Sequence, residues 1–143
     1  MTPSRCRLAA ALALAAATAA CRGPVDPSQN QSQQFTGSVQ PNSAGPLHAF
    51  AVPNTGEFSV TVNSMSPGNA LLGIVWGQPN GGACANVFGQ QNVVTSSNLG
   101  RTVLSGAVTL KGQYCVQLFD PVGYVTVTPL LVAQNYTVTV NHP

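Results

Sequence analysis

From Phe35 to Pro143 no window of about 12 residues carries a helical apolar stripe free of Gly, Pro or β-branched runs. That interruption governs what the chain can become, because a helix needs apolar side chains at three- and four-residue intervals without breakers. Apolar and polar residues alternate instead, as a half-buried strand requires. The alternation is clear in Phe58–Val62, Leu72–Trp76, Tyr114–Leu118 and Tyr136–Val140. It is weaker over Gln34–Val39, Leu47–Val52, Cys84–Phe88, Asn92–Thr95 and Arg101–Leu110. Between these runs stand Pro41-Asn42, Pro53-Asn54-Thr55-Gly56, Ser66-Pro67-Gly68-Asn69, Pro79-Asn80-Gly81-Gly82, Asp120-Pro121 and Val122-Gly123. All but Val122-Gly123 pair a residue of fixed or permissive φ with a side chain that bonds its own backbone, and Val122-Gly123 has the permissive glycine alone, which is turn chemistry. Short strands at this spacing predict an all-β domain over 35–143: an antiparallel two-sheet β-sandwich.

The first residues follow another rule. Arg5 and Arg7 precede about thirteen apolar or small residues, Leu8–Ala20, fewer than the roughly 20 that span a bilayer. Residues 1–20 therefore read as a secretion signal peptide. Its end, Thr18-Ala19-Ala20-Cys21, resembles the lipobox of bacterial lipoproteins, with Thr18 where Leu or Val is usual. That resemblance implies acylation of Cys21, cleavage before it, and a partner in the membrane itself; ordinary cleavage after Ala17, Ala19 or Ala20 is the alternative. It also implies an outer-membrane address in a cell that has one, since Arg22 is not the retaining Asp; a periplasmic or secreted chain is the alternative. Residues 21–34, rich in Pro, Ser, Asn and Gln, suit a flexible tether.

Charge excludes several function classes. The chain has five Lys and Arg against three Asp and Glu, but Arg5 and Arg7 leave with the signal. From Cys21 onward Arg22, Arg101 and Lys111 balance Asp26, Glu57 and Asp120. A neutral Ser/Thr/Asn/Gln surface gives no footprint for nucleic acid and no attraction to an anionic membrane.

With Cys6 in the signal and Cys21 assigned to the anchor, Cys84 and Cys115 remain, and an even pair in an exported domain reads as a disulfide. A redox pair favours Cys-x-x-Cys spacing, and a zinc site needs more ligands than two distant Cys with the scattered His48 and His142. No metal and no cofactor is expected. A serine triad needs a positioned base. His48 is out of phase with Leu47 and Ala49 and reads as a surface strand residue, while His142 lies at a mobile end of the given chain. A glycosidase needs paired carboxylates, whereas Glu57 and Asp120 each stand alone at a turn signal. Gly81-Gly82 lacks the Lys-Ser/Thr and the helix of a phosphate loop.

The order of segments carries a resemblance. Phe35–Val39, Pro46–Val52 and Gly56–Val62 open the domain; Gly112-Gln113-Tyr114-Cys115-Val116 and a final Tyr136-Thr137-Val138-Thr139-Val140 close it. Over 35–143 this is similar to the bacterial pre-peptidase C-terminal domain family, which implies a jelly-roll-like sandwich of a kind usually appended to secreted peptidases. Some members bind calcium or polymeric substrates. No peptidase precedes the domain here and the clustered acidic residues are missing, so calcium binding is not carried over.

Aromatic side chains are the remaining pointer to a ligand, since flat faces can meet sugar rings. Trp76, Tyr114 and Tyr136 are in phase with aliphatic neighbours and read as core; Tyr124, beside Gly123, reads as exposed. Three functions follow in order: a non-enzymatic, lipid-anchored envelope domain acting by adhesion or contact with an envelope protein or glycan; a structural or accessory lipoprotein without a specific ligand; and an unrecognised hydrolase.

Overall fold

The computed structural model describes residues 30–122 and 129–143. Among them are nine strands: β1 (Gln31–Val39), β2 (His48–Val52), β3 (Gly56–Ser66), β4 (Leu72–Asn80), β5 (Ala83–Ala85), β6 (Gln91–Val94), β7 (Thr102–Val108), β8 (Gly112–Phe119) and β9 (Gln134–His142). A 3₁₀ turn, Ser96–Asn98, is the one helical piece among the described residues.

Two antiparallel sheets face each other. The first runs β1-β9-β3-β7; the second runs β2-β8-β4, with β5 and β6 both paired to β4. Successive strands cross between sheets, apart from β5 and β6, which follow β4 within its own. This is the strand order of a jelly roll. The alternation read in the sequence sets the faces. Phe58, Val60, Val62, Val138 and Val140 from the first sheet meet Leu72, Ile74, Val116 and Leu118 from the second, all buried.

Aromatic rings fill the middle. Trp76 stacks on Phe58 with centroids 4.0 Å apart and planes 9° from parallel, and touches Phe50 at 5.3 Å and Tyr114 at 5.5 Å. Phe50 continues to His142 at 5.0 Å and to Phe35 at 5.9 Å. Such pairs each add about 0.5–1.5 kcal/mol beyond their burial.

Several features differ from the sequence reading. β1 begins at Gln31, so Gln31–Gln34, assigned to the tether, pair instead with Thr139–His142 of β9; polar composition hid a strand whose backbone is satisfied by a neighbour. β5 stops at Ala85, and Val87 and Phe88 lie in the loop beyond. Glu57, read as a turn residue, is already in β3. The outer face of the second sheet is covered where a polar face was expected. There Gly73, Val75 and Gly77 of β4 lie beneath other chain: a Cβ at Gly77 would overlap the Ala85 carbonyl, and one at Gly73 would overlap the Phe119 ring. The missing side chains let β5 fold across β4, so that Cys84 reaches Cys115 on the strand beyond.

That Cys84–Cys115 disulfide is present, with Cα atoms 5.7 Å apart. It forms a second, small core with Val75, Leu47 and Phe119. Buried Gln117 completes the clasp: its Oε1 accepts from the Cys84 amide at 2.9 Å and its Nε2 donates to the Gly45 carbonyl at 2.9 Å. A buried disulfide of this kind belongs to an oxidising, exported setting.

Candidate functional site

His48, His142 and Asp120 are tied into the fold. His48, expected at the surface, is half-buried, because His48, Phe50 and Val52 share the inner face of β2 while Ala49 and Ala51 point outward. Its ring stacks on Phe35 at 4.8 Å, and its Nε2 is 2.9 Å from the Tyr136 hydroxyl. Burial lowers the His48 pKa from 6.5 and pushes that of Tyr136 up to about 12. The pair shares one hydrogen bond where β1 and β2 close one side of the sandwich. His142, expected at a mobile end, is fully buried in β9, stacked on Phe50. Strand pairing with Gln31 holds it there, a constraint invisible in the local sequence.

Asp120 sits at a turn, as its Pro121 neighbour suggested, but it is buried. Its Oδ2 accepts from the Asn42 amide at 2.8 Å and the Leu130 amide at 3.0 Å. It fastens the β1–β2 connection to the chain entering β9. Glu57 is exposed at the start of β3. No group of three or more His, Cys, Asp or Glu side chains converges among the described residues.

The surface is organised by position along the strands. Gln31 pairs with His142, and Gly56 with Val108, so β1 begins at the end of the sandwich where β7 and β9 finish. We call this the tether end, and the opposite one the distal end. The outer face of the first sheet carries hydroxyls and carboxamides in rows across the strands: Ser38–Asn135–Ser66, Thr36–Thr137–Ser64 and Gln34–Thr139–Thr61.

Exposed large apolar side chains gather at the two ends. Val87 (54 % exposed), Phe88 (43 %) and Leu110 (66 %) lie at the tether end; Val122 (44 %), Leu131 (88 %) and Val132 (52 %) lie at the distal end. At the tether end Phe88 stacks on Tyr114 at 5.8 Å, and the Tyr114 hydroxyl donates to the Leu110 carbonyl at 2.7 Å. Beside them opens a cleft of about 170 Å³, with Phe58, Trp76 and Tyr114 in its walls and Gln90 and Thr109 supplying polar groups. At the distal end a hollow of about 320 Å³ runs along Asn69, Ala70, Leu130, Leu131 and Gln134.

No family model matches this chain, and no curated protein does. Its candidate site rests on geometry. Trp76, Tyr114 and Tyr136 are core residues, 1 %, 2 % and 3 % exposed, as their phase predicted. Cys21 and Tyr124 lie outside the described residues. The exposed aromatic that sequence reasoning passed over is Phe88. Its signal was the following Gly89, the same aromatic-beside-glycine pattern that drew attention to Tyr124. Leu110, just before Lys111-Gly112, carried a similar signal: a large apolar side chain at a turn.

Proposed function

We propose that this chain is an exported, lipid-anchored, non-enzymatic domain of the cell envelope that acts by contact with an envelope protein or glycan. One observation carries the reading. His48, Tyr136 and Asp120 serve as internal fasteners, while exposed apolar side chains collect at the two ends of the sandwich. Exposed apolar groups rimmed by polar surface are the usual mark of an interaction site. The lipobox-like junction at Cys21 supplies the anchor, and the likeness of segment order to pre-peptidase C-terminal domains belongs with an accessory, non-catalytic role. The hydroxyl and carboxamide rows of the first sheet favour a second reading, a spacer with no specific ligand.

Site-specific photo-cross-linking in intact cells separates the two. A photoreactive residue at Leu131 should give a defined adduct, whereas one at Thr137, on the polar face, should give none. A chain that stays membrane-bound yet gives no adduct from Leu131 would favour the spacer. Cys21→Ser tests the anchor: it should release the domain or leave an uncleaved precursor.

A further inference from the structure

We infer that the tether end rests on the bilayer, with Val87, Phe88 and Leu110 inserted at the lipid interface, so that the domain stands upright and presents its distal end. This rests on the lipid-anchored reading and gives it an orientation. The first argument is where the chain enters the sandwich. Nine residues, 22–30, separate Cys21 from β1, and the ten steps from Cys21 to Gln31 span at most about 36 Å. An anchor at Cys21 therefore keeps the tether end within that distance of the lipid. The distal end is separated from it by the length of β9, nine residues or about 30 Å at strand rise, so it can come equally near only if the tether doubles back along the sandwich.

The second argument is what the tether end carries. Phe88 and Leu110 both adjoin Tyr114, one through ring stacking and one through its carbonyl, and Val87 is next to Phe88. An aromatic and two aliphatic side chains with their apolar surface open to water suit the acyl–headgroup boundary, where such groups bury favourably. Charge fits a neutral lipid surface. Lys111 follows Leu110 and can lift its amine to the headgroups, and Glu57 at the same end balances it. The contact should therefore be apolar and insensitive to salt.

The experiment uses the mature full-length chain in phosphatidylcholine vesicles with spin-labelled acyl chains. An environment-sensitive dye is placed in turn at Val87, Leu110, Thr61 and Leu131, and the mass of each chain reports acylation. The dyes at Val87 and Leu110 should shift to the blue and lose emission to the spin label, while those at Thr61 and Leu131 should not. Leu110→Asp should abolish the quenching at Val87 without altering the far-ultraviolet spectrum. Acylated chain with no quenching at Val87 or Leu110, or equal quenching at all four sites, overturns the orientation while leaving the anchor intact. Quenching at Val87 and Leu110 in a chain of unacylated mass supports the docking face and removes the anchor instead. A blue shift at Leu110 that appears without vesicles and grows with protein concentration would show a second copy covering this end, which also overturns the proposal.

Discussion

Gly77→Ala tests the most unusual packing in the fold, the passage of β5 across β4. The new Cβ would meet the Ala85 carbonyl oxygen and carbon, both backbone atoms that no rotamer change can move. In the oxidised protein β5 cannot withdraw, because Cys84 is bonded to Cys115 and its amide to Gln117. The cost should then sit in the upper part of the roughly 1–3 kcal/mol typical of overpacking. In a Cys84→Ser/Cys115→Ser background β5 can lift away, and the substitution should cost nearer the ~1 kcal/mol of a lost hydrogen bond. The disulfide, closing a separation of 31 residues, should itself be worth about 3–4 kcal/mol through loop entropy. The two changes are thus coupled by about 1–2 kcal/mol. Urea unfolding of the four proteins of the double-mutant cycle reads this directly. For a domain of this size each kcal/mol moves Tm by about 4 °C, so thermal melts should show the coupling as well. Effects that add to within about 0.5 kcal/mol would refute the idea that the disulfide clamps β5 over Gly77.

Stability should be flat between about pH 6.5 and 10 and fall on either side. On the acid side the lowered pKa of half-buried His48 means that the unfolded chain takes the proton first, so stability present above 6.5 is lost as pH falls. On the alkaline side Tyr136, pushed up to about 12 by burial, contributes stability that is complete below 10 and lost as pH rises; Tyr114, also raised, acts in the same direction. Denaturant titrations across pH check this, and His48→Ala should remove most of the acid-side decline. Asp120→Ala leaves the amides of Asn42 and Leu130 without their acceptor and should cost about 2–4 kcal/mol. Asp120→Asn keeps an acceptor oxygen and should cost less; equal losses by urea denaturation would show that those two bonds contribute little. Treatment with a chelator should leave Tm unchanged, because a metal held by the native state would have raised it. A drop of several degrees would reveal a site formed by other groups.

The sandwich was legible because its signal is local. Alternation in Phe58–Val62 and Tyr136–Val140 fixes which side chains face inward, and Gly/Pro clusters fix where the strands end. The Cys84–Cys115 pair was readable from compartment and parity. What sequence could not supply was pairing. Gln31–Gln34 look like tether because nothing in their side chains announces the neighbour that satisfies their backbone. His48 was misplaced because its phase was judged against Leu47 and Ala49, when Phe50 and Val52 define the inner face of β2. Leu47 is apolar for another reason: it packs outside the second sheet with the disulfide. His142 and Asp120 took their roles from partners far along the chain, Gln31 in one case and Asn42 in the other. At the candidate site Phe88 and Leu110 were read as the ends of strands, whereas β5 stops at Ala85 and β7 at Val108; their common neighbour Tyr114 emerges only from the fold.

The rows of hydroxyls and carboxamides on the first sheet have a collective consequence. A flank bearing little fixed charge gathers almost no counterion cloud, so two such domains side by side exert scarcely any force on each other beyond the few ångströms over which their hydration water is shared. Copies of such a domain gathered side by side would approach until their shapes touch, at a density set by the cross-section of the sandwich and indifferent to the surrounding salt.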